Sequence, residues 1–102
     1  MNPDFYKLQD RFDSLEVIVI IPTYNNAPKL KNVIEDVLQY TKNILIVNDG
    51  STDKTHGILS EYNDLMCIHL DKNKGKGKAM QVGFAKALEL GYHYAITIDS
   101  DG

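Results

Sequence analysis

The chain has few of the residues that cross-link small domains. It contains one cysteine, Cys67, and no tryptophan among its 102 residues. A single cysteine excludes an intramolecular disulfide, and its position in the apolar run 65–68 favours a buried thiol over a nucleophile. The fold must therefore depend on one hydrophobic core, at a length that is only just sufficient to bury one.

The sequence also lacks an excess of positive charge and a long apolar run. Its formal net charge is −3, whereas general nucleic-acid binders neutralise phosphates with basic surfaces, so nucleic acid is not an expected partner. No apolar stretch approaches the roughly 18 residues of a membrane span, and the amino terminus lacks the pattern of a signal peptide. We therefore expect a soluble chain in the reducing cytoplasm.

Four short apolar runs predict four strands: Val17–Ile21, Ile44–Val47, Leu65–Ile68 and Tyr94–Ile98. The first two runs are continuously apolar, which is typical of strands buried on both faces of a parallel sheet. Helical patterns between the runs predict three helices: Asn26 (N-cap) to Leu38, about Thr52 to Tyr62, and about Gly77 to Leu90. This alternation predicts an α/β fold, a Rossmann-like parallel sheet with flanking helices.

The third predicted helix has an apolar face that ends at Gly91, a predicted C-cap. Its members are Ala79, Met80, Gly83, Phe84, Ala87 and Leu88. Residues 1–15 are polar with a few apolar residues at helical spacing, so we interpret them as an amino-terminal extension before a domain at 16–102.

Charged and polar residues follow the predicted strands, where ligands bind in open parallel sheets. Asp49, followed by glycine and serine, also suits a turn and a helix cap, and the lysines of 72–78 also suit a solvated loop. Asp99 and Asp101 would point the same way from an extended backbone and repel each other unless a cation lay nearby. Mg²⁺ or Mn²⁺, which prefer oxygen ligands, would suit them.

Together these loops would place four kinds of group at one sheet edge. They are an apolar aromatic wall, an acid, a lysine- and glycine-rich loop, and a carboxylate pair. A nucleoside diphosphate needs this combination: a surface for the base, an acceptor for polar groups, and positive charge with a metal for the phosphates.

Four segments in this order resemble family 2 glycosyltransferases with the GT-A fold: Ile21–Asn25, Val47–Asp53, Asn73–Ala79 and Asp99–Asp101. The resemblance spans about 16–102 and is nearest to the branch of dolichyl- and polyprenyl-phosphate sugar transferases. It implies transfer, with inversion, from a UDP- or GDP-sugar to a lipid phosphate or glycan, with the full-length protein at the inner face of a membrane.

The resemblance also implies which residues bind. The nucleotide-binding set is Pro22, Thr23, Tyr24, Asn26, Val47, Asp49, Lys76, Lys78, Asp99 and Ser100. Asp99 and Asp101 would form the DXD motif that holds Mg²⁺ or Mn²⁺. The chain would be the truncated nucleotide-sugar-binding half, with the acceptor half and the catalytic base beyond Gly102. We therefore expect it to lack transfer activity alone.

Other nucleotide-binding classes lack support in the sequence. A dehydrogenase would carry glycines in the turn after the first strand, where residues 23–27 contain none, and no Walker A spacing occurs. A non-catalytic nucleotide-binding module remains the alternative to an enzyme. The strand Tyr94–Ile98 is expected to be a sheet edge, through which the chain could self-associate.

Overall fold

The computed structural model describes residues 2–100 as four helices alternating with four strands. All strand pairs are parallel, and the sheet order is β3-β2-β1-β4. The predicted Rossmann-like α/β fold is therefore confirmed. Asp101 lies outside the described residues. The elements are α1 (Phe5–Ser14), β1 (Val17–Thr23), α2 (Ala27–Leu38), β2 (Ile44–Asn48), α3 (Thr55–Leu59), β3 (Met66–His69), α4 (Lys76–Glu89) and β4 (Tyr94–Thr97).

The two continuously apolar runs form the central strands, with a hydrophobic layer on each face. On one face, Ile21 and Ile46 pack with the apolar side of α2, including Leu30. On the other face, Ile20 and Leu45 pack with α4. All five of these side chains are fully buried, as expected for strands covered on both sides.

Helix α4 buries a narrower face than the sequence predicts. Ala79, Gly83 and Ala87 are its buried residues, whereas Phe84 is 43% exposed and Leu88 is 65% exposed. Of the residues predicted to form the apolar face, the small ones are thus buried and Phe84 and Leu88 are not. Small residues at i, i+4 and i+8 form one row along the helix and allow it to lie close to the sheet.

Gly83 marks the closest approach of α4 to the sheet. A Cβ atom there would lie 2.9 Å from Ile20 Cγ2 and 3.3 Å from Val47 Cγ2. At the other end of the helix, Gly91 has φ 96° and the Tyr92 amide donates to the Ala87 carbonyl, as in a Schellman motif. The predicted C-cap is confirmed.

Helix α3 is shorter than predicted, because residues before and after it form turns. Asp53 accepts a hydrogen bond from the Thr55 amide through Oδ1 and from the Ala27 amide through Oδ2. This carboxylate therefore serves the first amides of both α2 and α3. Asn26 occupies the N-cap position of α2 but makes no side-chain cap.

Strand β4 lies at one end of the sheet order and exposes large apolar side chains. Tyr94 is 68% exposed and Ile96 is 47% exposed. The predicted edge position agrees with the sheet order, and self-association through this edge stays a prediction. In the described part of the chain, no helix is both long and apolar enough to cross a membrane.

Candidate functional site

A pocket of about 270 Å³ lies at the carboxyl ends of the strands. We call it the edge pocket; it is lined by Pro22, Thr23, Tyr24, Asn26, Asp49, Asn73, Lys76, Ala79, Asp99 and Ser100. The parallel topology brings these residues together, because the carboxyl ends of all four strands meet at one edge.

Two residues of the predicted nucleotide-binding set lie away from this pocket. Val47 is fully buried in the layer beneath α4, and the exposed Lys78 is not part of the lining. Conversely, Asn73 and Ala79 line the pocket although they were not predicted as site residues. Both lie in the lysine- and glycine-rich segment. The sequence therefore identified the segment but not these two residues as part of the pocket lining.

Four loops surround the edge pocket. The first (24–26) follows β1, the second (49–54) follows β2, the third (70–75) precedes α4, and the fourth (98–100) follows β4. The first and second loops interlock through Asn25, which has φ 49°. Its amide donates to Ser51 Oγ (3.0 Å), and its Oδ1 accepts from the Thr52 amide (2.7 Å).

The second and third loops are joined by Asp49, which is only 3% exposed. Its Oδ1 accepts from the Lys74 amide (2.8 Å), and its Oδ2 accepts from the Gly75 amide (3.0 Å) and from Asn73 Nδ2 (3.0 Å). Charge-assisted hydrogen bonds of this kind are stronger than neutral ones, so the two loops are firmly connected.

The fourth loop is connected to both of its neighbours. Asn26 Nδ2 donates to Ser100 Oγ at 3.1 Å. Lys76, the first residue of α4, pairs with Asp99. Their side chains are 63% and 58% exposed, so this ion pair contributes at most about 1 kcal/mol. The loops and the start of α4 thus form a closed chain of contacts around the pocket, which we call the loop ring.

Thr23 places an unsatisfied hydroxyl beside the pocket. The residue is 3% exposed, and its Oγ1 has no hydrogen-bond partner among the described residues. A buried hydroxyl without a partner costs about 1–3 kcal/mol, and a bound ligand could relieve that cost. Thr23 is therefore a candidate ligand contact.

Asn48 connects the second loop to a pair of histidines. Its Oδ1 accepts from the Ser51 amide, which directs Nδ2 towards His69 Nδ1 at 3.1 Å. Nδ1 must then be the acceptor, which assigns His69 as neutral with its proton on Nε2. The His56 ring stacks on His69 with centroids 4.3 Å apart. Partial desolvation beneath the His56 ring, followed by repulsion from His56, lowers the pKa of His69, although the residue keeps an exposed surface.

We expect this arrangement to make the fold less stable in mild acid. A histidine whose pKa is lowered by folding stabilises the folded state fully above its ordinary pKa of about 6.5, and this contribution is lost as the pH falls through the folded value. Urea unfolding from about pH 7 to about pH 5 should therefore show a steeper loss of stability for the wild type than for His69→Gln. Equal slopes would contradict the assignment.

The donor set around Asp99 decides whether a metal fits this pocket. Within residues 2–100, no group of three or more histidine, cysteine or acidic side chains could hold one. Asp99 lines the pocket with an exposed carboxylate, whereas Asp49 is engaged by three donors. Mg²⁺ commonly uses one or two carboxylates and completes its shell with ligand phosphates and water. The oxygen chemistry of Asp99 fits such a shared site.

Comparisons with known proteins agree on one family. The family model described as Glycosyl transferase family 2 matches residues 18–102. The chain is 36% identical to a UDP-N-acetylglucosamine–dolichyl-phosphate N-acetylglucosaminyltransferase of Methanococcus voltae, over 84% of this chain and 41% of the relative. It is 30% identical to a dolichyl-phosphate beta-glucosyltransferase of Trichomonas vaginalis, over 87% of this chain and 31% of the relative.

A solved structure gives the same result. The crystal structure of S. aureus TarS 1-349 in complex with UDP superposes with a TM-score of 0.70 and 27% identity, over 83% of this chain and 27% of that one. The chain thus spans about two fifths or less of these longer proteins. The family match, at residues 18–102, includes the four loops around the edge pocket.

Proposed function

Because the chain belongs to glycosyl transferase family 2, we propose that its edge pocket binds the nucleoside diphosphate part of a UDP- or GDP-sugar for transfer to an acceptor. The observation that carries the proposal is the loop ring, which gathers most of the predicted nucleotide-binding residues around one pocket. The UDP complex of the similar TarS structure supports a uridine nucleotide. Family membership favours an enzyme over a non-catalytic binding module.

In the proposed binding mode, the pocket wall holds the base and the start of α4 faces the phosphates. Tyr24, which is 48% exposed, offers an aromatic surface to the base, and the Thr23 hydroxyl offers a hydrogen bond. Lys76 exchanges part of its interaction with Asp99 for the diphosphate. Positive charge near the developing diphosphate lowers the barrier to its departure.

Asp99 and Asp101 are the residues proposed to hold Mg²⁺ or Mn²⁺ together with the ligand phosphates. When bound, such an ion supplies charge that stabilises the departing diphosphate. Asp101 is included in this proposal only because of its position in the sequence, since it lies outside the described residues. Inversion at the sugar also belongs to this proposal, and we assign neither it nor activation of the acceptor to a residue among 2–100.

The proposed acceptor is a lipid phosphate. Two of the relatives are named for transfer to dolichyl phosphate, which supports this class of acceptor and a location of the full-length protein at a membrane surface. A glycan is the alternative acceptor in this proposal. A product assay with a UDP-sugar and either polyprenyl phosphate or an oligosaccharide distinguishes them.

The Thr23→Val substitution is expected to change binding and stability in opposite directions. Valine has the same shape without the hydroxyl, so the unliganded protein should become no less stable, or gain about 1 kcal/mol. Affinity for UDP should fall about fivefold, the effect of losing one neutral hydrogen bond. Calorimetric titration of UDP and GDP, with and without Mn²⁺, and urea unfolding measure the two effects. Unchanged affinity for both nucleotides would contradict this placement of the ligand.

A further inference from the structure

We propose that Asp49 is a positioning residue, whose carboxylate holds the third loop so that Asn73 and Lys76 line the edge pocket. The inference rests on the proposed function, because it concerns how that pocket binds a diphosphate. It assigns to Asp49 an effect on binding that acts through the third loop and therefore extends to ligands with neither base nor ribose.

The side-chain hydrogen bonds of Asp49 connect it to the third loop. Both carboxylate oxygens are occupied, and every donor belongs to residues 73–75. Two of these donors are backbone amides, so the carboxylate fixes the course of the main chain and not only a side chain. With the residue 3% exposed, its carboxylate interacts mainly with the protein, although Asp49 also lines the edge pocket.

The carboxylate of Asp49 also lies at the start of α4. Gly75, with φ 95°, occupies the N-cap position and has no side chain with which to cap the helix. Asp49 Oδ2 accepts the Gly75 amide instead, so a carboxylate from another loop lies beside the amino terminus of the helix. Negative charge at this end of a helix is favourable. Asp49 thereby fixes the place where the helix begins, and Lys76 is its first residue.

Gly50 supplies independent support for close contact between the loops. It has φ 70°, and a Cβ atom there would lie 2.2 Å from the Lys72 carbonyl carbon and 2.3 Å from the Asn73 nitrogen. The backbone of the third loop therefore occupies the space that any side chain at position 50 would need. Neighbouring residues 49 and 50 thus hold the same loop, one by hydrogen bonds and the other by close backbone packing.

Direct contact and positioning predict different ligand dependence. A direct bond from Asp49 to the base or ribose would affect only ligands that contain those groups. A displaced third loop would shift Lys76, which faces the phosphates, and would weaken all diphosphates alike. Inorganic diphosphate has neither base nor ribose and so separates the two explanations.

The test compares Asp49→Asn with the wild type in the full-length protein. Asparagine keeps the size of the side chain but turns an NH₂ group towards amide donors. We expect affinity for inorganic diphosphate to fall about tenfold or more, as for the loss of a charge-assisted hydrogen bond, and affinity for UDP and GDP to fall at least as much. Amide hydrogen exchange at Lys74 and Gly75 should become faster in the same variant.

Gly50→Ala provides a second route to the same displacement without altering a group that lines the pocket. It should weaken binding of UDP, GDP and inorganic diphosphate by the same factor. Gly57→Ala is the matched control, because a Cβ atom at that position in α3 meets nothing within 4 Å. Its affinities should equal those of the wild type.

Two outcomes separate the possible failures. If Asp49→Asn weakens UDP and GDP but not inorganic diphosphate, and exchange at Lys74 and Gly75 is unchanged, Asp49 contacts the ligand directly and the positioning role is overturned. If the wild type binds none of the three ligands, the proposed function fails instead. The exchange rates in the two variants would still decide whether Asp49 and Gly50 hold the loop.

Discussion

Replacing Asp99 and Asp101 together by asparagine is expected to abolish the metal-dependent part of nucleotide binding while the domain stays folded. Removal of a group that merely orients a metal ligand costs about 10- to 100-fold in affinity, so loss of both carboxylates should cost at least about 100-fold. Asp99 follows β4 at the rim of the pocket with an exposed side chain, so its substitution should not disturb the core. Calorimetric titration of UDP with and without Mn²⁺ measures the loss.

Binding of UDP without metal is the internal control of this experiment. Asp99→Asn also removes the ion pair with Lys76, which is exposed and weak. Metal-free affinity for UDP should therefore stay within about a few-fold of the wild type, since one exposed pair contributes at most about 1 kcal/mol. Asp10→Asn, on the exposed side of α1, is the control for a lost carboxylate. An unchanged response to Mn²⁺ in the double variant would refute the metal assignment.

Substitution of Gly83 by leucine is expected to destabilise the domain. The added side chain would enter the space occupied by Ile20 and Val47 at the point where α4 lies closest to the sheet. Overpacking of this kind costs about 1–3 kcal/mol, occasionally more, and exceeds the gain of about 1 kcal/mol from replacing a helical glycine. Urea unfolding should show the net loss, and displacement of α4 should also weaken UDP binding through Lys76.

Gly77→Leu is the matched control, with the same substitution in the same helix. A Cβ atom at Gly77 meets nothing within 4 Å, so only the helix propensity changes there and stability should rise. Opposite signs at the two positions would attribute the loss at Gly83 to packing against the sheet. A destabilisation of equal size at both would contradict that explanation.

The sequence predicted the central sheet well but did not predict which residues of the apolar face of α4 are buried. Both results depend on the size of the buried side chains. Continuous apolar runs identify β1 and β2 because buried strands need apolar side chains on both faces. A helix that lies very close to a sheet needs small residues there, and small residues contribute little to a hydrophobic sequence pattern. The larger Phe84 and Leu88 therefore dominated the predicted face of α4, although both are exposed.

The edge pocket was predictable as a location more than as a set of contacts. The rule that ligands bind at the carboxyl ends of parallel strands identified the loops around Asp49 and Asp99. It could not identify Asn25 or Asn73, because their partners lie in other loops and become neighbours only in the folded chain. Nor could it show that Val47, within a strand buried on both faces, lies beneath α4 rather than in the pocket.

The loop ring couples occupancy of the pocket to unfolding of the whole domain. One of its contacts, between Asn26 and Ser100, joins residues 74 positions apart, so the ring exists only when the first and last strands are paired. A ligand held by several of these loops would bind the folded chain and not the unfolded one. At a hundred times its dissociation constant such a ligand adds about 2.7 kcal/mol to stability. The temperature of unfolding therefore ranks candidate donor nucleotides without an acceptor, a product or a turnover.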